Sequence, residues 1–189
     1  NLLSTHDTAR SLHLFGYKDG APAEAIALAK QRLRLAMFFQ FSYPGAPTIF
    51  YGDEVGVTGG EDPYNRVTYP WADRGGTPDE ALLAYVQSLG KMRREHTVLS
   101  HGALEAPLLL DEHVVVLLRK GEGAWAVTAT NNSNVARAVR VQLPAGAPGE
   151  FRDALSDARH RPQADGSLSF EIPPMSGVAL VYDARTALR

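Results

Sequence analysis

The fold class of the N-terminal half depends on residues 44–56, which read PGAPTIFYGDEVG. The segment begins with a Pro-Gly pair, a short β-prone run follows at residues 48–51, and Gly52 permits a tight turn after that run. Helical patterns flank the segment on both sides. Because a single strand between two helices is not a stable sheet, the pattern predicts the last βα units of a parallel α/β fold.

The two flanking helices have different patterns. The first, at residues 23–42, is apolar on nearly every face, which is typical of a helix that is buried on more than one side. The second follows a loop at residues 56–76 and is predicted to begin with a capping box, in which Thr77 is the cap and Glu80 its partner. A loop of that length in a compact domain is usually functional or disordered.

After residue 100 the hydrophobic period changes from the helical value to two. Five apolar runs are separated by turn signals, at residues 113–119, 125–130, 135–143, 167–172 and 177–182. This spacing predicts a small antiparallel β-sandwich. We therefore predict an α+β chain with two parts, residues 1–100 and residues 101–189, and a frayed tail at residues 185–189.

Composition excludes several classes of function. The 189-residue chain has a formal net charge of −2, so it lacks the basic excess needed to neutralise nucleic acid. The absence of cysteine excludes disulfides, thiolate metal sites and cysteine nucleophiles. Its apolar runs are far shorter than the roughly 18 residues that span a membrane. The sequence begins without Met or a signal-peptide pattern, so we expect either an abrupt mature start or a piece of a longer protein. The cellular location, cytoplasmic or secreted, is not assigned by the sequence.

Two pairs of residues are candidates for chemistry. His6 and Asp7 follow an apolar segment, where a strand of a barrel or open sheet would end and present catalytic groups. An imidazole beside a carboxylate can orient a sugar hydroxyl; the alternative is that Asp7 caps a turn and His6 is a surface residue. Asp62 and Arg66 are four residues apart in a Gly/Pro-rich loop, so they can pair, either to bind a ligand or only to stiffen the loop.

Other enzyme classes lack their motifs. The sequence contains no GxGxxG, P-loop, HExxH or GxSxG pattern, and its six histidines are too scattered for a metal constellation. Asp53 and Glu54 close the β-prone run, and we interpret both as structural residues. We therefore predict no metal site and no cofactor.

Four segments together resemble the α-amylase superfamily, glycoside hydrolase family thirteen. Residues 1–10 (NLLSTHDTAR) are similar to the last of its short shared regions, in the variant found in neopullulanases, cyclomaltodextrinases and maltogenic amylases. Residues 44–56 resemble its strand-eight motif, residues 60–71 the loop that follows, and residues 89–95 its eighth helix. The β-rich half resembles its C-terminal β domain. The resemblance covers nearly the whole chain in the right order.

This resemblance implies a (β/α)₈ TIM-barrel enzyme that cleaves α-1,4 glucosidic bonds with retention, with α-1,6 bonds as an open alternative. It implies that Asp7 stabilises the transition state and that His6 binds the same sugar ring. It also implies that Asp62 and Arg66 hold the sugar toward the non-reducing end. Calcium is compatible with the parent family, but no calcium site is evident in this sequence.

The catalytic carboxylates of such an enzyme have no counterpart here. Retaining hydrolysis needs a nucleophile and an acid/base about 5–5.5 Å apart, and in this family they follow the fourth and fifth strands. A complete barrel takes about 250 residues. We therefore expect a C-terminal portion whose partners are an α-glucan or maltooligosaccharide and the remainder of the barrel. Alone, it should be inactive and expose apolar surface through which it could self-associate.

Two other functions stay open at this stage. The β-sandwich could be a non-catalytic carbohydrate-binding module that presents Trp125 or another aromatic side chain to a glucan, although its strands show no aromatic ladder. The chain could also be a structural partner of a separately encoded half-barrel.

Overall fold

The structure is a computed structural model and describes residues 1–187. It contains two compact units. The first consists of Asn1–Gln40 and Gly45–Leu89, and the second consists of Phe41–Pro44 with the chain from Gly90 onward. None of the described helices is long and apolar enough to cross a membrane.

Within the described residues, every helix except the last precedes the strands. The helices are α1 Ser11–Leu14, α2 Ala23–Ser42, α3 Glu80–Glu95, α4 Val98–His101 and α5 Ala184–Ala187, with short 3₁₀ turns at Asp53–Val55 and Ala72–Arg74. The predicted helix at residues 23–42 is confirmed as α2, which buries Leu33 and Met37 but leaves Phe39 38% exposed. Helix α5 occupies part of the tail that was predicted to fray, and residues 188–189 lie outside the described residues.

The predicted strand at residues 48–51 is reduced to a single bridging residue. Thr48 forms an isolated parallel bridge with Leu2, and its N–H donates to the Asn1 carbonyl at 2.9 Å. Pro47 has no N–H to donate on one side of Thr48, and a turn begins on the other side at Phe50, whose carbonyl accepts the Asp53 N–H. Too few residues remain between them for a ladder.

The start of α3 also differs from the prediction. The cap is Asp79 rather than Thr77, because the Asp79 Oδ1 accepts the Leu82 N–H at 2.9 Å. Two tertiary contacts hold Asp79 there: its own N–H donates to the Val55 carbonyl at 3.0 Å, and its carboxylate pairs with Lys30 at 2.8 Å. The helix therefore begins at Glu80, immediately after this anchored residue.

The second unit is a mostly antiparallel β domain. Its strands are β1 Ala103–Leu104, β2 Leu109–Leu110, β3 Val114–Gly121, β4 Ala124–Asn131, β5 Arg137–Gln142, β6 Phe151–Asp153, β7 Arg159–His160, β8 Ser167–Ile172 and β9 Ser176–Asp183. One sheet has the order β1-β3-β4-β9-β6-β7, with β2 also paired to β3, and the other sheet is β5-β8. All of these pairings are antiparallel.

The two sheets bury one shared hydrophobic core. It includes Val116 and Val127 from the larger sheet and Val141 and Phe170 from the smaller one. The alternation predicted from the sequence is visible in β5, where buried and exposed side chains alternate from Ala138 to Gln142. The predicted β-sandwich fits this arrangement.

Two arginines of the second unit bind helix C-termini. Arg93 Nη1 donates to the Phe41 carbonyl at 2.7 Å, at the end of α2. Arg119 is only 2% exposed and donates to the Ser42 carbonyl at 3.4 Å and to the Leu99 carbonyl, in α4, at 3.1 Å. Because the last carbonyls of a helix lack intrahelical donors and carry partial negative charge, cations are favourable partners there.

Candidate functional site

The predicted site residues lie on two loops of the first unit. His6 and Asp7 occupy a tight turn in which the Asp7 N–H donates to Thr5 Oγ1 at 3.1 Å. The Thr5 N–H in turn donates to Thr8 Oγ1 at 3.0 Å. The short side chains of the two threonines therefore close the turn, and the Asp7 carboxylate points toward other side chains.

The structure brings all four predicted residues together. His6 Nε2 lies 3.2 Å from Asp7 Oδ2, and Arg66 Nη2 lies 3.0 Å from Asp62 Oδ2 and 3.9 Å from Asp7 Oδ1. Arg66 therefore stands between the two carboxylates and joins the pairs. The four side chains are between 46% and 73% exposed, so a ligand can reach all of them.

This arrangement suits a ligand that both donates and accepts hydrogen bonds. The carboxylates of Asp7 and Asp62 accept from hydroxyl groups, the Arg66 guanidinium donates, and the His6 imidazole can do either. Hydrogen bonds to charged groups are roughly twice as strong as those between neutral groups. Exposed ion pairs contribute little to stability, so these contacts are not what holds the two loops in place.

A buried arginine lies beneath the cluster. Arg10 is fully buried; its Nε donates to the Asn65 carbonyl at 2.8 Å and its Nη1 to the Tyr51 carbonyl at 2.6 Å. Nη1 also lies 3.2 Å from Asp53 Oδ1. The guanidinium stacks over the rings of Phe50 and Tyr51, with its central carbon 4.0 Å and 4.6 Å from their centroids. Arg10 thus joins the segment after α2 to the loop that carries Arg66.

Asp53 completes this buried network. Its side chain accepts a short hydrogen bond from the Ser4 hydroxyl, whose oxygen also lies 3.1 Å from Ser11 Oγ. Burial raises the pKa of Asp53, and the contacts with Ser4 and Arg10 only partly oppose that rise. Asp53 is therefore a buried partner of Arg10, in line with the structural role that we inferred from the sequence.

Asn65 links the two loops and was missed in the sequence. It is fully buried, and its Nδ2 donates to the carbonyls of His6 and Thr8, both at 2.9 Å. Neither Asn65 nor Arg10 was singled out for a role, because a single asparagine in a polar loop and a single arginine in a turn are ordinary surface residues by composition. Their signal was their place within residues 1–10 and 60–71, two of the segments that carry the family resemblance.

Clusters of metal-ligating side chains were sought among residues 1–187. No group of three or more His, Cys, Asp or Glu side chains in that range is arranged to hold a metal ion.

The carbohydrate-binding alternative based on Trp125 does not fit the structure. Trp125 is 9% exposed and belongs to the core of the β domain, with Lys120 Nζ 4.5 Å from its ring centroid. A buried indole cannot stack on a sugar in solution.

The chain is similar to bacterial α-glucan hydrolases along nearly its whole length. It is 35% identical over 202 residues to an amylopullulanase of Thermoanaerobacterium saccharolyticum, a match that covers 97% of this chain and 15% of the relative. It is 27% identical over 182 residues to neopullulanase 2 of Thermoactinomyces vulgaris, a match that covers 95% of this chain and 28% of the relative. The chain matches a C-terminal portion of the neopullulanase and cyclomaltodextrinase subgroup of the α-amylase superfamily.

Solved structures agree with this placement. An α-amylase from Anoxybacillus superposes with a TM-score of 0.80 at 28% identity, covering 96% of this chain and 37% of that one. The Geobacillus thermoleovorans α-amylase, solved in complex with acarbose, gives a TM-score of 0.77 at 25% identity and covers 97% of this chain and 38% of that one. No family model matches the chain. The resemblance to glycoside hydrolases is confirmed, and the chain spans less than a third of the curated relatives' length.

Proposed function

We propose that this chain forms the C-terminal part of a retaining α-glucan hydrolase. Residues 1–100 would supply the last βα units of its (β/α)₈ barrel and residues 101–189 its C-terminal β domain. The observation that carries the proposal is the position of Arg66, which is 3.0 Å from Asp62 and 3.9 Å from Asp7 and so joins the two predicted pairs into one exposed polar site. The parallel bridge between Leu2 and Thr48 supports the barrel assignment.

Each residue of this site has a role in the proposed reaction. As the glycosidic bond breaks, positive charge develops on the sugar ring, and the Asp7 carboxylate stabilises it through the ring hydroxyls. His6, which is 3.2 Å from Asp7, binds the same ring. Asp62 and Arg66 hold the neighbouring sugar toward the non-reducing end.

The proposed enzyme needs a second part, the remainder of the barrel. The nucleophile and the acid/base carboxylate would come from it, so we propose that the 189-residue chain alone hydrolyses no glucan. Seven large apolar side chains in the first unit are at least 38% exposed, which supports a covering partner. They are Leu2, Leu14, Phe39, Tyr51, Tyr64, Val67 and Trp71. In the isolated chain they are available for self-association.

Substitutions in the full-length protein that contains these residues test the proposal. We expect Asp7→Asn to lower kcat on maltooligosaccharides by about 10²- to 10³-fold, the usual effect of removing one electrostatic stabiliser. We expect Asp62→Ala to raise KM instead, because Asp62 only binds. Asp73→Asn is the matched control, since Asp73 is 79% exposed in the same unit and pairs with its neighbour Arg74.

Two results would contradict the proposal. One is a kcat within about threefold of the wild-type value for the Asp7→Asn variant of the full-length protein. The other is turnover of starch or cyclodextrin above background by the purified 189-residue chain, because that chain lacks the proposed carboxylate pair.

A further inference from the structure

We propose that Asn65 is the positioning residue for Asp7 and that it makes the two substrate-binding loops one rigid body. This inference rests on the proposed role of Asp7. The fully buried Asn65 carboxamide donates to the carbonyl groups of His6 and Thr8, which flank Asp7 on either side.

Asp7 needs such a clamp because packing does not hold its side chain. The side chain is 73% exposed, and its contacts with His6 and Arg66 involve partners that are themselves 63% and 46% exposed. The position of the carboxylate therefore follows from the backbone around it. Asn65 fixes that backbone at two peptide groups, the one between His6 and Asp7 and the one that follows Thr8.

The chemistry of the contact selects asparagine. One carboxamide nitrogen carries two N–H donors, which matches two carbonyl acceptors at 2.9 Å each. An aspartate has the same shape but only acceptor oxygens when ionised, so it would repel both carbonyls. A serine has a single donor on a shorter side chain, so it cannot satisfy the two carbonyls.

Asn65 is itself anchored to the interior of the unit. Its carbonyl accepts from Arg10 Nε at 2.8 Å, and the Arg10 N–H donates to the Gly59 carbonyl at 3.0 Å. Arg10 thus holds the loop of Asp62 and Arg66 at two points. The chain of contacts runs from the buried guanidinium through Asn65 to both sides of Asp7.

The functional consequence is a shared geometry for the two sugar-binding pairs. Asn65 lies next to Arg66 and three residues after Asp62, so one residue sets the distance from that pair to Asp7. A misplacement of about 1 Å at a reacting group can cost about 10²-fold in rate. Loss of the clamp should therefore lower kcat, while the Asp62–Arg66 pair, which is local to its own loop, keeps KM within about threefold.

The test compares Asn65 with a matched buried asparagine in the β domain. Asn131 is also fully buried, and its Nδ2 donates to the Val135 carbonyl at 2.8 Å and to the Pro173 carbonyl at 3.1 Å. In the full-length protein, Asn65→Asp and Asn131→Ala should both lower Tm. Only Asn65→Asp should lower kcat on maltooligosaccharides, by about 10²-fold, and accelerate amide hydrogen exchange across residues 6–8.

The outcomes separate the inference from the proposed function. Unchanged exchange across residues 6–8, or a kcat loss no larger than that of Asn131→Ala, overturns the positioning role. If Asp7→Asn leaves kcat unchanged, the proposed function fails, and faster exchange in Asn65→Asp still supports the clamp. Should Asn65→Asp fail to fold, Asn65→Ala carries the test, because it removes both donors without adding a charge; it should also lower kcat and accelerate exchange across residues 6–8.

Discussion

The buried ion pair of Arg10 and Asp53 gives a quantitative prediction about the stability of the first unit. Nη1 of Arg10 is 3.2 Å from Asp53 Oδ1, and the two side chains are 0% and 4% exposed. At an effective dielectric constant of about 20, the attraction across that distance is about 5 kcal/mol. Burial opposes it, since desolvation raises the pKa of Asp53 despite the nearby cation.

The expected effect depends on which partner remains. We expect Asp53→Ala to lower the free energy of unfolding by about 3–5 kcal/mol, because it leaves the Arg10 guanidinium buried without its counter-charge. In an Arg10→Met background the same change should cost at most about 1 kcal/mol, because removing a buried carboxyl group that has lost its cation offsets the lost hydrogen bond with Ser4. The pair should thus show strong coupling in a double-mutant cycle.

Native-state amide hydrogen exchange measures this coupling in the unit that contains the pair. Leu33 of α2 is fully buried in the same unit, and the protection of its amide reports the free energy of opening. Equal losses of protection from Asp53→Ala in the two backgrounds would refute the reasoning. They would mean that the carboxylate does not offset the buried charge of Arg10.

Two further predictions concern the first unit. Burial raises the pKa of Asp79, but the hydrogen bond and charge of Lys30 and two backbone amides bring it below its usual value of 3.8. The ionised Asp79 carboxylate therefore stabilises the fold above pH 3.8, and this stabilisation is lost as the pH falls through the lower folded-state pKa. Asp79→Ala should lower the free energy of unfolding in urea by about 1 kcal/mol near pH 7 and by less near pH 3. Gly59→Ala should lower the free energy of unfolding by about 1–3 kcal/mol and raise KM, because its Cβ would lie 2.1 Å from the Tyr64 carbonyl oxygen. Gly149→Ala is the control, since open space surrounds that position and neither quantity should change in the same assays.

The β domain was predictable because its signal is local. In β5 and β8 buried and exposed side chains alternate along most of the strand, and that pattern is written directly in the sequence. Helix α2 was predictable for a similar reason, since its apolar run is bounded by Pro22 and by a Pro-Gly stop. Such elements need no knowledge of their neighbours.

The errors occurred where distant contacts decide the outcome. Thr77 and Asp79 are both suitable caps by residue type, and the choice between them is made by the contacts of Asp79 with Lys30 and Val55. Likewise, β propensity cannot show that residues 48–51 form only one bridge, because a ladder requires a paired neighbour.

The candidate site divides along the same line. The exposed residues His6, Asp7, Asp62 and Arg66 stood out because their chemistry and spacing are readable in the sequence. Arg10 and Asn65 were not singled out within their segments, because their importance comes from burial and from partners 41 to 59 residues away. A sequence can thus reveal which groups would meet a substrate more readily than which groups hold them in place.

The arginine contacts at the helix ends limit how the β domain can be exchanged between enzymes. A graft of residues 101–185 would carry Arg119 with its Gly102 acceptor but leave behind the Ser42 and Leu99 carbonyls that accept from its Nη1. A buried Nη1 that has lost its acceptors costs stability, so the recipient would need to present carbonyls at the same place. The transferable module is therefore the sandwich together with Phe41–Pro44 and Arg93, and a swap at the boundary suggested by the sequence alone would produce a weakened hybrid.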